Sequence, residues 1–277
     1  MSLWKHSRWD AVLFAATLLQ FALTIAWAAA FDAMSAAEHI AAFIPMVLLF
    51  YYNPIVVTHN FLHTPFFASN KLNNAFAIFN SANLGLPQIL YKYHHLTHHK
   101  YSNDPIENGT TQDPSSTYRF GKDGRQEHWV PYSAFGLFRD GTKYAFREIQ
   151  KKKKTHLMGY ELISVALAFA LLIALSWQWF LVVYAPLYLA GWFLAHVENY
   201  FEHFNATNAR DDAANSVSYY HPLYNKLMFN EGYHQEHHLR PQRHWTERPQ
   251  VQTEFRDEMA RAQTHAASWP PLLGFLD

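Results

Sequence analysis

Residues 11 to 31, AVLFAATLLQFALTIAWAAAF, run for 21 positions without a charge. Roughly 20 such residues are what a helix needs to cross a hydrocarbon layer about 30 Å thick, and a helix is one of the few structures that satisfy their own backbone groups in lipid. The run outlasts the apolar core of a cleaved signal peptide and lacks a clear cleavage motif, so it predicts a retained span. A second apolar run, IAAFIPMVLLFYYNPIVVT (residues 40 to 58), leads into His59, with Pro45 and Pro54 expected to kink it. A third region, residues 157 to 197, is long enough for two spans if it folds back near SWQW (176 to 179), whose tryptophans suit a membrane–water interface. The stretch NAFAIFNSANLGLPQIL (74 to 90) is expected to break at Asn80, Asn83, Gly85 and Pro87, giving a re-entrant or interfacial segment.

Composition supports a membrane protein: 50% of residues are hydrophobic and 16% charged, where about a quarter is usual for soluble domains. The chain has no cysteine, which excludes disulfides, thiolate-held clusters and a cysteine nucleophile. Lys plus Arg and Asp plus Glu both total 22, leaving no basic field for nucleic acid. Lys5 and Arg8 precede the first span, and Lys143, Arg147 and Lys151 to Lys154 precede the third. The positive-inside rule puts both flanks in the cytoplasm. The predicted fold is an all-α integral membrane protein forming one domain over residues 1–277. About four transmembrane helices (9–31, 39–58, 157–176, 179–200) form two hairpins, and a cytoplasmic helical cap (59–63, 94–150, 203–277) holds a dimetal site.

That site is read from the 18 histidines. His59 and His63 are four apart; His95, His98 and His99 repeat the i, i+3, i+4 spacing of His234, His237 and His238. His203 lies four residues after Asn199. Such spacings put side chains on one helix face, and imidazole is the commonest metal ligand. One pair proves little, but repeated boxes on the same predicted side of the membrane point to metal. Nine imidazoles exceed the coordination of one octahedral ion, so two metals are expected; imidazole suits zinc, copper, iron and nickel alike. A bis-histidine haem protein would place its histidines facing one another within spans. A metal transporter would place them near the midplane. Neither pattern is present in the first two spans.

HxxxH, about thirty residues to HxxHH, a gap containing a hairpin, and then HxxHHxxP (His59 to Pro241) resemble the integral-membrane fatty acid desaturase and hydroxylase superfamily. NYFEHF and RPQRHW are similar to the membrane alkane monooxygenases, and DPSSTYRFG (113 to 121) to desaturase-like fatty acid decarboxylases that make terminal alkenes. The resemblance implies a diiron centre that activates O2 against an unactivated C–H bond of a fatty acid or acyl lipid, by desaturation or hydroxylation. Oxidative decarboxylation and alkane-type terminal hydroxylation are the alternatives. It implies His59, His63, His95, His98, His99, His203, His234, His237 and His238 as iron ligands, with Asn199 approaching one iron through water. His94 also offers HxxxHH for the second box; it is expected behind His95 rather than on the metal. Metal-bound imidazoles commonly donate their second N–H to a carboxylate, for which Glu202, Glu231, Glu236 and Asp104 are candidates. Without cysteines for a fused cluster, electrons are expected from a separate ferredoxin, rubredoxin or cytochrome b-type donor with its reductase, docking near Lys143 to Lys154. The expected location is a bacterial inner membrane, with the histidines facing the cytoplasm.

Overall fold

The computed structural model describes residues 2–107, 109–139, 141–207 and 210–277. Among them every regular element is a helix, and pairing outside helices is limited to isolated bridges. In chain order the helices are α1 (Asp10–Ala33), α2 (Ala36–His63), α3 (Asn70–Leu84), α4 (Gln88–Tyr101), α5 (Trp129–Phe135), α6 (Thr142–Lys151), α7 (Thr155–Leu175), α8 (Trp177–Phe201), α9 (Pro222–Leu227), α10 (His234–Leu239), α11 (Arg248–Glu254) and α12 (Arg256–Arg261). Four of them, α1, α2, α7 and α8, are long and apolar enough to cross a membrane. Their outward residues are bare apolar side chains, as lipid permits: Ile40 is 71% exposed and Leu167 66%. The chain divides into two compact units, Met1–Tyr93 with Ala145–Trp192, and His94–Tyr144 with Phe193–Asp277.

In the first unit, only Met34 and Ser35 separate α1 from α2, and Ser176 alone separates α7 from α8. Ser35 starts α2 with a capping box: Glu38 N–H donates to its hydroxyl, and the Glu38 carboxylate accepts from Ser35 N–H at 2.7 Å. Helix α2 runs through Pro45 and then widens into a π turn over Asn53–Thr58, at Pro54, before its last turn carries His59 and His63. The span is longer than the predicted 39–58 because the helix continues through the first histidine box.

Helix α3 corrects one expectation. Asn80 and Asn83 do not break it; it ends at Gly85, which adopts φ 65°. A Cβ there would lie 2.6 Å from the Tyr188 ring, so both conformation and space call for glycine. The asparagines are tolerated because their amides are consumed by other segments. Asn53 Nδ2 donates to Gln20 Oε1 (2.6 Å) and Asn80 Oδ1 (2.9 Å), and Asn53 Oδ1 accepts from the Thr58 hydroxyl (2.8 Å). Asn80 Nδ2 donates to Thr58 Oγ1 and Gln88 Oε1, both at 2.8 Å. Asn83 Nδ2 reaches Thr17 O at 3.0 Å. Interhelical polar bonds in a membrane protein contribute on average about 0.6 kcal/mol and up to about 1.7. Orphaning their partners adds a desolvation penalty. Asn53→Leu should therefore destabilise the protein by about 2–3 kcal/mol, read as a lower thermal midpoint in micelles; an unchanged midpoint would show that the network contributes nothing.

The second unit is built around irregular segments pinned by side chains. Asn103, in the left-handed region at φ 58°, accepts from Thr117 N–H and hydroxyl at 2.8 Å each and donates through Nδ2 to His203 O at 3.1 Å. Arg248 and Glu231 form a buried ion pair at 2.8 Å. Ala213, Leu239 and Met259 pack together with Phe255 and Ala262, seating α10 against α12.

Candidate metal centre

Helix α4 contributes His95, His98 and His99 to the second unit, the end of α8 leads into His203, and α10 contributes His234, His237 and His238. The i, i+3, i+4 spacing turns each triplet to one side of its helix, and all seven rings are buried or nearly so. They gather into two sets. His95 Nε2 lies 2.9 Å from His99 Nε2, which lies 3.0 Å from His237 Nε2. His203 Nε2 lies 3.0 Å from His98 Nε2 and 3.2 Å from His234 Nε2. His98, His203 and His238 each offer a ring nitrogen within 4.8 Å of the other two.

The outer nitrogens of His98 and His203 bear on how their inner nitrogens meet. His98 Nδ1 donates to Asp113 Oδ2 at 2.8 Å, and His203 Nδ1 donates to Asn215 O at 3.0 Å. In the neutral tautomers that these two acceptors select, the Nε2 atoms of His98 and His203 face each other as lone pairs. His238 Nε2 is likewise buried with no hydrogen-bond partner, while its Nδ1 lies 2.7 Å from Ser102 Oγ. Converging lone pairs repel unless a cation sits between them. Two imidazoles bound to one ion at about 2.1 Å and near a right angle would have nitrogens about 3 Å apart. The donor set fits a metal.

The sequence matches the fatty acid desaturase family over residues 38–269, most of the chain. The chain belongs to the fatty acid desaturase family. A protein of Bacillus subtilis (strain 168) named fatty acid desaturase is 26% identical over 209 residues, covering 67% of this chain and 59% of the relative. The chain thus spans less than two thirds of that relative's length. No solved structure matches.

The remaining site candidates of this desaturase-family chain fall into three groups. His59 and His63 stand together in the first unit, both buried, with ring centroids 5.3 Å apart. Glu202 lies within ion-pair distance of an imidazole, its Oε1 3.3 Å from His234 Nδ1. Burial, with Glu198 and Glu231 nearby, raises the Glu202 carboxyl well above the usual range. Other carboxylates serve the scaffold. Glu236 accepts from the Ser218 and Tyr220 hydroxyls at 3.0 and 2.9 Å, Asp104 accepts the backbone N–H groups of Gln112 and Asp113, and Glu231 holds Arg248. Asn199 donates to the Tyr132 hydroxyl at 2.6 Å, and Tyr132 in turn donates to Ser115 O.

Sequence reasoning missed Asp113, Ser102 and Asn215. Asp113 is fully buried; burial pushes its carboxyl up, but His98 and the N–H groups of Asn103 and Ser115 outweigh this and hold it below the ordinary range. Burial pushes His203 down to about 3, so this imidazole stays neutral, the form that ligates metal. His238 is held low for the same reason.

His94 belongs to neither set; its ring lies against Gly141, leaving no room for a Cβ there. Burial pushes it down to about 4, whereas an unfolded histidine titrates near 6.5. The stability it contributes is present above about pH 6.5 and lost as pH falls towards 4. The thermal midpoint of the wild type, measured against His94→Gln, should fall across that window by the equivalent of up to about 3 kcal/mol. A pH-independent difference would mean that the ring titrates in the fold as it does in the unfolded chain.

Proposed function

We propose that this chain catalyses O2-dependent oxidation of an unactivated C–H bond in a fatty acid or acyl lipid, with His59, His63, His95, His98, His99, His203, His234, His237 and His238 holding two iron ions. The observation that carries the reading is the pair of bare Nε2 atoms of His98 and His203, buried and 3.0 Å apart. Family membership supports iron as the metal and an acyl chain as the substrate. His59 and His63 enter this ligand set from the sequence pattern, as the first of its three histidine boxes.

Within this reading the protein's own groups have distinct tasks. Asp113 and Asn215 O hold the Nδ1 protons of His98 and His203, which fixes each tautomer and turns each Nε2 inward. Glu202 Oε1 lies 3.3 Å from His234 Nδ1, close enough to bias the orientation of that ring. Asn199, through Tyr132, is held near the end of α8 and is proposed to approach the metal through water. Iron, when bound, supplies the activation of O2, with electrons from a separate ferredoxin, rubredoxin or cytochrome b-type protein and its reductase. For desaturation the balance is one CH2–CH2 unit, O2, two electrons and two protons giving CH=CH and two waters. The Bacillus relative's name favours this outcome over hydroxylation. Oxidative decarboxylation to a terminal alkene and terminal hydroxylation of an alkane-type substrate are the alternatives. We place the centre on the cytoplasmic side of a bacterial inner membrane, following the charge asymmetry of the sequence.

The test is product analysis after anaerobic iron loading, reduction by a ferredoxin system and exposure to 18O2 with fatty acids, acyl thioesters, phospholipids and alkanes. A new unlabelled double bond is expected. Labelled alcohol would make the chain a hydroxylase, and an alkene one carbon shorter a decarboxylase. No product from an iron-loaded, reducible sample would overturn the oxidative reading.

A further inference from the structure

The first unit contains a second feature that the oxidation chemistry does not use. A cavity of about 510 Å³ opens between the last turn of α2, the starts of α3 and α4, and the segment that leads into α7. Four lysines line it: Lys92 from α4, and Lys152, Lys153 and Lys154 just before α7. Among the described residues none of the last three pairs with a carboxylate, whereas their neighbour Lys151 is held by Glu148 at 2.7 Å. Phe61, Leu62, Ile89 and Leu157 give the cavity an apolar wall beside polar residues such as Asn70 and Asn74.

We propose that this cavity binds the phosphate-bearing headgroup of a membrane phospholipid. Its position carries the argument. Phe61 and Leu62 belong to the final turn of one candidate span, and Lys154 is the N-cap of another. The cavity therefore sits at the ends of two spans, the depth at which headgroups lie, rather than among the hydrocarbon tails or in bulk water. The lysines supply charge for the phosphate, and the apolar wall accepts the glycerol and first methylenes, which a free phosphate does not possess. The N-terminus of the 21-residue α7 adds its dipole in the same sense, since no side chain caps it.

The acid that lines the cavity does not oppose an anion strongly. Glu161 Oε2 is committed to Ile89 N–H at 2.8 Å, one and a half turns into α7. Burial holds the Lys92 ammonium below its ordinary value, and the Lys154 charge adds to this. An anion placed between the two would relieve that repulsion.

Three of these lysines, Lys152 to Lys154, fall within the segment expected to receive an electron donor, and the two uses are separable by experiment. Binding is read on the full-length protein without turnover, so its failure is distinct from failure of the oxidative reading. Native mass spectrometry from detergent micelles would measure retention of phosphatidylglycerol, with phosphatidylcholine, inorganic phosphate and coenzyme A as comparison ligands. We expect one phosphatidylglycerol retained, at least tenfold more tightly than phosphatidylcholine. A Lys/Arg near an anionic surface contributes about fivefold, so the combined Lys92→Gln, Lys153→Gln and Lys154→Gln variant should bind it on the order of a hundredfold more weakly. Lys226→Gln, an exposed lysine on α9 outside the cavity, should not differ from the wild type. Asn74→Trp fills the cavity from an exposed position and removes no charge; it too should lower retention, which keeps the test valid if the triple variant fails to fold. Unchanged retention in both variants would overturn the proposal. So would saturation by inorganic phosphate or coenzyme A with no preference for the lipid. A raised KM for a ferredoxin donor with lipid retention intact would assign the lysines to the donor instead.

Discussion

If the proposed two-iron site is right, His203→Ala should bind one iron fewer than the wild type and reduce turnover by more than about 100-fold, since partners one step removed from a metal already cost 10- to 100-fold. His203 is the residue on which one set converges: its Nε2 faces His98 at 3.0 Å and His234 at 3.2 Å, and the ring is fully buried. Removing it leaves Asn215 O without its donor and opens a void where three imidazoles met. The check is iron content by elemental analysis beside turnover, with the helical circular dichroism signal confirming the fold. Retention of two irons and near-normal turnover would remove His203 from the ligand set and with it the geometric basis of the oxidative reading.

Asp113→Leu tests how the site is held rather than the site itself. The carboxylate accepts from His98 Nδ1–H and also from Asn103 and Ser115 N–H at 2.7 Å each. Leucine matches its bulk without accepting any of the three, so metal affinity should fall 10- to 100-fold and part of the loop after α4 should loosen. Asp113→Asn retains an acceptor oxygen without the charge and should lie between the two. Competition with a chelator measures the affinity, and the visible spectrum of the cobalt-substituted protein reports whether His98 has turned. Equal chelator resistance in all three proteins would show that Asp113 is only a loop residue.

The four spans and the histidine boxes were legible because both are local patterns. A span needs only a long enough uncharged run, and i, i+3, i+4 spacing brings three rings to one side of a helix whatever surrounds it. The partnerships were not legible. Asp113 lies 15 residues from His98, Asn215 lies 12 from His203, and Ser102 lies 136 from His238. None of these pairs lies within one helix, so no spacing rule identifies them. Glu236 sits inside the third box and is one of four carboxylate candidates, yet it spends its oxygens on Ser218 and Tyr220. Asn80 misled for the same reason: an amide in a helix reads as a breaker until Asn53, Thr58 and Gln88 are found around it.

The sequence by itself determined that this is a helical membrane protein with histidines arrayed for metal, because hydropathy and helix periodicity act over a few turns. Only the tertiary structure decided which nitrogens face one another and which groups hold their protons. Those contacts join segments up to 138 residues apart, as between His99 and His237, and are set by how helices and loops pack rather than by any local preference of the chain.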